Sequence, residues 1–260
     1  MSEVTWGLDL STYKNRTAAV AIDWSSPGKA KVRKIIHPLA ADDIASLIAG
    51  HREDQWAVDV PFGWPEPFVD FLEHHRSGPL HGEKAPDVDA RRSWRTHELA
   101  LRRTDLFVME ELKKRSVSVR PLSVSFQLLG ATAALWALVE AQLAQESEPL
   151  KVDRSGMSGN VCEAYPAAAL TQWGHGRVKR TWLELKDLFT FLTADDDLLD
   201  RFDQFSSSDV CDAIVCALVA RARTQNATFT PPEERDRVLA TREGWIHMPS
   251  GDAFDLPTTP

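Results

Sequence analysis

Cysteine is scarce in this sequence, with three residues among 260. Cys162, Cys211 and Cys216 each stand among apolar residues, and an odd number cannot pair completely within one chain. Small secreted domains that depend on disulfides carry many more cysteines. We therefore expect three reduced thiols in the core of a cytoplasmic protein.

Long apolar runs are missing as well. A membrane-spanning helix needs about 20 consecutive apolar residues, and no stretch of the sequence reaches that length. The first residues contain no basic and apolar leader, because the chain passes at once into the apolar stretch Val4–Leu10. These absences predict a protein that does not insert in a membrane and has no signal peptide.

Positive charge is in deficit, with a formal net charge of −8 at pH 7. Proteins that bind duplex nucleic acid through its phosphates gain much of their affinity from lysine and arginine. The acidic balance argues against general duplex binding. It favours a single-stranded or structured nucleic acid, or a small nucleotide, as partner. The oligomeric state is left open.

Several well-known motifs are also absent. The sequence has no Gly-x-Gly-x-x-Gly, no P-loop and no Gly-x-Ser-x-Gly. Ser11 and Ser208 have no recognisable base partner, and the histidines do not combine with cysteines at a zinc-binding spacing. Nucleotide-cofactor, serine-hydrolase and zinc-site interpretations therefore have no support.

What the sequence does contain is acidic residues inside apolar strands. Asp9 lies near the end of one strand, Asp59 near the end of Trp56–Val60, and Glu163 within Val161–Ala164. Burying a carboxylate is costly unless it is paired or binds a cation. Asp9 taken alone also fits a turn cap assisted by Ser11, but the recurrence favours a shared cation site.

An apolar helix over residues 206–223 carries two further acids. Asp209 and Asp212 are three residues apart, so both lie on one helix face. If the strands of Asp9 and Asp59 are neighbours, a helix across their end could aim Asp212 at that pair. Converging carboxylates predict one or two Mg²⁺ or Mn²⁺ ions. The expected metal ligands are Asp9, Asp59, Asp209 and Asp212.

At these residues the chain resembles a known family, DUF429. The resemblance rests on four motifs in order: Gly-x-Asp-x-Ser at Gly7, Asp9 and Ser11; Ala-x-Asp-x-Pro-x-Gly at Ala57, Asp59, Pro61 and Gly63; Glu-x-Tyr-Pro at Glu163, Tyr165 and Pro166; and Asp-Ala at Asp212 and Ala213. The family is described as predicted nucleases of the ribonuclease H-like fold. The resemblance implies a metal-dependent nuclease whose catalytic residues are Asp9, Asp59, Glu163 and Asp212.

Two other functions remain open for the same cleft. One is a non-catalytic module that binds a nucleotide or nucleic acid, and the other is a phosphohydrolase of small nucleotides. Melting temperatures with and without Mn²⁺ or Mg²⁺ would show whether the cleft binds a metal.

The hydrophobic pattern predicts an α/β fold with a mixed sheet. Strands are expected at residues 4–10, 17–23 and 31–37, then a short helix, then a strand at 56–60, and the third strand is expected at an exposed edge. This β-β-β-α-β order is how the ribonuclease H-like fold begins. We expect one such domain over residues 1–260, with flanking helices, a helical insertion at about 61–120 and a C-terminal tail from about 226.

The insertion is expected to hold substrate. Residues 91–120 contain nine arginines and lysines against four acids, and a helix is expected over Trp94–Lys114. The family resemblance includes an Arg-x-Cys/Thr-acid element here, from which we expect Arg102 and Arg103 to face substrate phosphate at the protein surface. Ser11 is also expected to bind substrate. The open alternative is a solvated helix face with arginine–acid pairs.

Overall fold

The computed structural model describes residues 3–78, 98–117, 119–127, 129–178, 180–195, 197–198 and 208–257. Within these ranges six strands form one mixed sheet in the order β5-β4-β1-β2-β3-β6. The strands are β1 (Val4–Asp9), β2 (Ala18–Asp23), β3 (Ala30–Ile36), β4 (Gln55–Asp59), β5 (Val161–Glu163) and β6 (Leu192–Ala194). The fold is therefore mixed α/β, as the hydrophobic pattern predicts.

The first three strands form two antiparallel hairpins, and β4 then returns parallel to β1. The near-continuous apolar character of β1 and β4 fits their central positions, because central strands are covered on both faces. The expectation that β3 lies at an exposed edge is wrong. Its outer side pairs in parallel with β6, a strand of three residues.

Eight α-helices accompany the sheet in the described residues. They are α1 (Ile44–Gly50), α2 (Glu66–Arg76), α3 (Arg103–Lys114), α4 (Leu129–Leu143), α5 (Pro166–Gln172), α6 (Trp182–Leu188), α7 (Ser208–Thr224) and α8 (Glu234–Glu243). Helices α1 and α4 cover one face of the sheet, and α5, α6 and α7 cover the other. The two hydrophobic cores lie in these two layers.

Helix α7 crosses the sheet at β1 with almost no space between the backbones. A Cβ atom placed on Gly7 would lie 1.8 Å from the carbonyl oxygen of Ala213 and 2.4 Å from the amide nitrogen of Ala217. One turn away, the hydroxyl of Thr5 donates a hydrogen bond to the carbonyl oxygen of Ala217 at 2.9 Å. Glycine is required at position 7 because only a hydrogen fits there.

The insertion has a shorter helix than expected, and the tail has a helix that was not expected. Helix α3 begins at Arg103, since Glu98–Arg102 is not helical, and residues 94–97 lie outside the described residues. The tail contains α8, which the sequence did not predict. After α8 the chain bridges in parallel from Ile246 to Glu163 and so lies along the edge of β5. Helix α3, helix α8 and residues 245–248 share two small apolar clusters.

All three cysteines are buried and free, which confirms their expected place in the core. Among the helices of the described residues, none is both long enough and apolar enough to cross a membrane.

Candidate functional site

Asp9 and Asp59 lie side by side at the ends of the two central strands. The two residues are register partners in the parallel pairing of β1 with β4. Neighbouring strands lie about 4.8 Å apart, and register partners in a parallel pair point to the same side. That side is the one covered by α7, because Gly7, two residues before Asp9, contacts that helix. The predicted placement of this pair on adjacent parallel strands is confirmed.

Asp212 approaches the pair from α7. Its side chain is buried, and its charge raises the pKa values of both Asp9 and Asp59. The close packing of α7 on β1 at Gly7 brings this carboxylate over the strand ends. Asp9, Asp59 and Asp212 are called the carboxylate cluster below.

The pKa values of all three members of the carboxylate cluster are raised above those of ordinary aspartates. Burial, followed by repulsion from its acidic neighbours, raises the pKa of Asp9 to about 9 and that of Asp59 to about 8. Burial also raises the pKa of Asp212 to about 6, although Arg180 opposes this shift. A cation among these carboxylates would offset their mutual repulsion and favour their ionised forms.

Arg180 is the positive charge at the carboxylate cluster. Its Nη1 donates a hydrogen bond to Oδ2 of Asp212, and its charge lowers the pKa values of all three members. It lies in the loop between α5 and α6, two residues before α6 begins at Trp182. Arg180 could not be singled out from the sequence, because nothing distinguishes it from neighbouring Arg177.

Asp209 is engaged by another arginine. Nη2 of Arg16, from the loop between β1 and β2, donates to Oδ1 of Asp209 at 2.9 Å. Nε2 of His37 lies 3.8 Å from Oδ2 of the same carboxylate. Asp209 is close enough to raise the pKa of Asp9, but its own oxygens are directed to Arg16. It borders the carboxylate cluster as part of a separate ion pair.

Arg102 is buried, and the expectation that it lies at the surface is wrong. Only 2% of the residue is exposed. Its Nη2 donates to Oδ1 of Asp105 at 3.0 Å and to Oε1 of Glu163 at 2.7 Å. Its Nε and Nη1 donate to the second oxygen of the same two carboxylates. Two bidentate pairs supply the charge compensation that lets a guanidinium leave water.

Glu163 belongs to this buried network more than to the carboxylate cluster. Its Oε2 accepts from Nη1 of Arg102 at 2.9 Å and from the backbone N–H of Phe62 at 3.0 Å. Burial raises the pKa of Glu163, and the charge of Arg102 opposes the shift. The network thereby holds the chain that leaves β4 immediately after Asp59. Arg102 also donates to the carbonyl oxygen of Glu243 at 3.0 Å, which ties the tail to the same point.

The other two residues assigned to substrate have local partners. Nε of Arg103 donates to Oδ1 of Asp236 at 2.9 Å, and its Nη1 lies 3.6 Å from Oε2 of Glu110. This arrangement matches the alternative of a helix face with arginine–acid pairs. The hydroxyl of Ser11 accepts from the backbone N–H of Tyr13 at 3.2 Å, as a turn residue does.

A cavity of about 220 Å³ opens beside the two strand ends. Asp9, Asp59, Arg102, Glu163, Tyr165 and Ile246 are among the residues that line it. Ser11 and Arg103, the other two residues expected to bind substrate, are not. Burial and the charge of Asp59 raise the pKa of Tyr165 to about 12. Its hydroxyl therefore keeps its proton and can donate a hydrogen bond to an anionic ligand.

The donor chemistry of the carboxylate cluster fits a hard divalent cation, which prefers carboxylate oxygens. Oδ1 of Asp212 is buried and has no hydrogen-bond partner among the described residues. As the side chains stand, however, no group of three or more His, Cys, Asp and Glu residues in the described ranges could hold a metal ion. Because Arg180 holds the other oxygen of Asp212, the arrangement of donors depends on that guanidinium.

Comparison with known proteins gave one match. A family model described as "Protein of unknown function (DUF429)" matches residues 7–237, which is most of the chain and includes every member of the carboxylate cluster. No curated protein and no solved structure gave a significant match.

Proposed function

The chain belongs to the DUF429 family, and we propose that its carboxylate cluster hydrolyses phosphodiester bonds with Mg²⁺ or Mn²⁺ as cofactor. The observation that carries this proposal is the register pairing of Asp9 with Asp59 beneath Asp212. Buried carboxyl groups with raised pKa values are typical of functional sites.

In this proposal Asp9, Asp59 and Asp212 would hold the cation. The bound cation would supply Lewis acidity and an activated water. The chain itself contributes the side-by-side placement of the two strand carboxylates, which the pairing of β1 with β4 fixes. Tyr165 would donate a hydrogen bond to the bound substrate. Asp59 is expected to matter most, because it is the register partner of Asp9 and the charge of Asp212 acts directly on it.

Asp209 and Glu163 take positioning roles in this proposal. Asp209 holds Arg16 beside Asp9, and Glu163 fixes the turn after Asp59 through the N–H of Phe62. Neither oxygen pair is free to join a cation without breaking these bonds. Of the five acids expected at this site, three would therefore hold the cation and two, Asp209 and Glu163, would support them.

We also propose that the fold is ribonuclease H-like. Three antiparallel strands precede a helix and a fourth strand that lies parallel to the first, which is the order expected of that fold. The carboxylates at the ends of β1 and β4 would then have their usual place in it. A measured structure superposed on members of that fold class would test this assignment.

The substrate class follows from the size and charge of the site. A volume of about 220 Å³ is below that of typical drug-sized pockets, so it admits one phosphate-containing group. The net charge of −8 disfavours long duplexes. We therefore propose single-stranded nucleic acid, with small nucleotides as the other substrates to be examined.

The test is metal binding followed by turnover. Calorimetry with Mn²⁺ on the wild type, Asp59→Asn and Asp42→Asn is expected to show binding that is lost only in Asp59→Asn. Asp42 is exposed and serves as matched control. Labelled single-stranded RNA and DNA should then be cleaved with Mn²⁺ or Mg²⁺, but not with EDTA and not by Asp59→Asn. Cleavage that survives in Asp59→Asn would contradict the proposal.

A second function is favoured by one observation. In the described ranges no group of three His, Cys, Asp or Glu side chains could hold a metal ion in its present arrangement. Arg180 already forms an ion pair with Asp212. A non-catalytic module that binds a nucleotide or nucleic acid in the same cavity is consistent with this state. Nucleotide binding without Mn²⁺ binding or turnover would establish that function instead.

A further inference from the structure

We propose that Arg180 acts as an exchangeable internal cation. It neutralises the carboxylate cluster in the metal-free protein and moves to the phosphate of the substrate when a divalent cation binds. The inference rests on the proposed function, and it assigns the substrate anion to an arginine other than Arg102 or Arg103.

Arg180 lies where it acts on all three members of the carboxylate cluster. Its guanidinium binds Oδ2 of Asp212 and acts on the charges of Asp9 and Asp59. The second oxygen of Asp212, Oδ1, has no hydrogen-bond partner among the described residues. Water has little access to it, because only 6% of the residue is exposed. Arg180 therefore pairs with only one oxygen of Asp212, and the other oxygen can still bind a cation.

Arg180 is held less firmly than the buried Arg102. About 34% of its side chain is exposed, and it belongs to a loop between two helices. Nη1 is its only nitrogen with a hydrogen-bond acceptor in the described part of the chain. Arg102 gives the contrast: its side chain is 3% exposed, and all three nitrogens bind carboxylates. Arg102 is therefore fixed, and Arg180 is held at one end.

A divalent ion between Asp9 and Asp59 would repel a guanidinium beside it and would compete for Asp212. The displaced guanidinium would stay near Asp9 and Asp59, on whose charges it already acts and which line the cavity. A guanidinium binds two phosphate oxygens at once, and this geometry suits arginine better than lysine. In a single movement, the guanidinium of Arg180 would leave Asp212 and bind the phosphate of the substrate.

Four proteins test the exchange: wild type, Arg180→Gln, Arg180→Lys and the control Arg177→Gln, whose residue is exposed in the same loop. Calorimetry first measures Mn²⁺ binding alone. Arg180→Gln is expected to bind Mn²⁺ roughly 3- to 10-fold more tightly than wild type, because a competing charge is removed. Arg180→Lys, which keeps the charge, and Arg177→Gln should both resemble wild type.

Binding of adenosine 5′-monophosphate is measured next at saturating Mn²⁺, with adenosine as the phosphate-free comparison. Arg180→Gln should lose about tenfold in affinity for the nucleotide and nothing for adenosine. Arg180→Lys should lose part of it, because an ammonium lacks the bidentate fork. Melting curves establish that each variant is folded, and if Arg180→Gln is unfolded the comparison rests on Arg180→Lys.

The outcomes separate this inference from the proposed function. Mn²⁺ binding of equal strength in wild type and Arg180→Gln would overturn the exchange while leaving the metal site in place. Tighter Mn²⁺ binding with unchanged nucleotide affinity would also overturn it. If the wild type binds no Mn²⁺, the proposed function fails, and the exchange fails with it.

Discussion

Gly7 faces the carbonyl oxygen of Ala213 so closely that a methyl group on Gly7 would lie 1.8 Å from it. This contact sets the height of α7 above β1. Asp212 is the residue before Ala213, so the same contact also sets the distance between the helix carboxylate and the strand carboxylates. Gly7 therefore contributes to the site by allowing α7 to pack closely on β1.

Replacing Gly7 by alanine should destabilise the protein strongly. The clash is with backbone atoms, so α7 must move, and overpacking of this kind costs about 1–3 kcal/mol or more. We expect a melting temperature lower by roughly 5–10 °C. Gly50→Ala is the control, since Gly50 has nothing within 4 Å of an added Cβ. An unchanged melting temperature for Gly7→Ala would contradict the packing argument.

Removing one charge from the carboxylate cluster should stabilise the metal-free protein. The folded-state pKa values of Asp9 and Asp59 are raised to about 9 and about 8. Groups of this kind contribute full stability below the unfolded pKa near 4 and lose it as pH rises through the folded pKa. Asp9→Asn and Asp59→Asn, which imitate the neutral acid, should therefore raise the melting temperature at pH 8.

The gain is expected to be roughly 1–3 kcal/mol at pH 8 and to vanish near pH 4. Thermal melts of both variants across this range, in EDTA, give the measurement. Asp42→Asn should show no such pH dependence. A gain that is constant with pH would mean that the benefit does not come from relieved ionisation.

His247 should make the fold sensitive to acid. The residue is buried, its Nε2 donates to the carbonyl oxygen of Ser155 and its Nδ1 accepts from the hydroxyl of Thr228. Burial lowers the pKa of His247 to about 4. The stability that its neutral form contributes is present above the unfolded pKa near 6.5 and is lost as pH falls toward 4.

The loss attributable to His247 should reach about 3 kcal/mol between pH 7 and pH 4. Urea unfolding of wild type and His247→Gln over that range isolates it, because the carboxylates titrate alike in both proteins. The variant should start less stable and show a flatter pH dependence. Parallel curves for the two proteins would rule out His247 as the acid-sensitive group.

Arg102 should prove to be a structural residue. Truncating it to alanine leaves Glu163 and Asp105 as buried charges without their partner, which typically costs 3–5 kcal/mol. Arg103→Ala, which removes a partly exposed arginine, should cost no more than about 1 kcal/mol. Urea unfolding of both variants makes the comparison, and Glu163→Gln completes a double-mutant cycle with Arg102→Ala. A coupling energy near zero would contradict the buried pair.

The sequence predicted the centre of the site because its signal is local. Asp9 and Asp59 each end a short apolar strand, and the helix between β3 and β4 returns β4 parallel to β1. Asp212 was predictable from its place on an apolar helix. These placements need only the periodicity of the chain and the topology of a mixed sheet.

The arginines could not be placed from the sequence, because their partners are remote. Arg102 lies in a segment rich in basic residues, which suggested a surface, but its partner Glu163 is 61 positions away. The one local signal was Asp105, three residues later, whose side chain caps the N–H of Arg102. Arg180 approaches Asp212 from an irregular loop, and β6 is only three residues long, so neither has a periodic pattern.

The position of the tail beside the buried network determines when the site can be completed during synthesis. Glu243 accepts from Arg102, and Ile246 bridges to Glu163, so residues near the end of the chain complete the surroundings of residues from its middle. Domains generally fold as units during synthesis. The cavity beside Asp59 therefore acquires its final wall only after Ile246 has emerged from the ribosome.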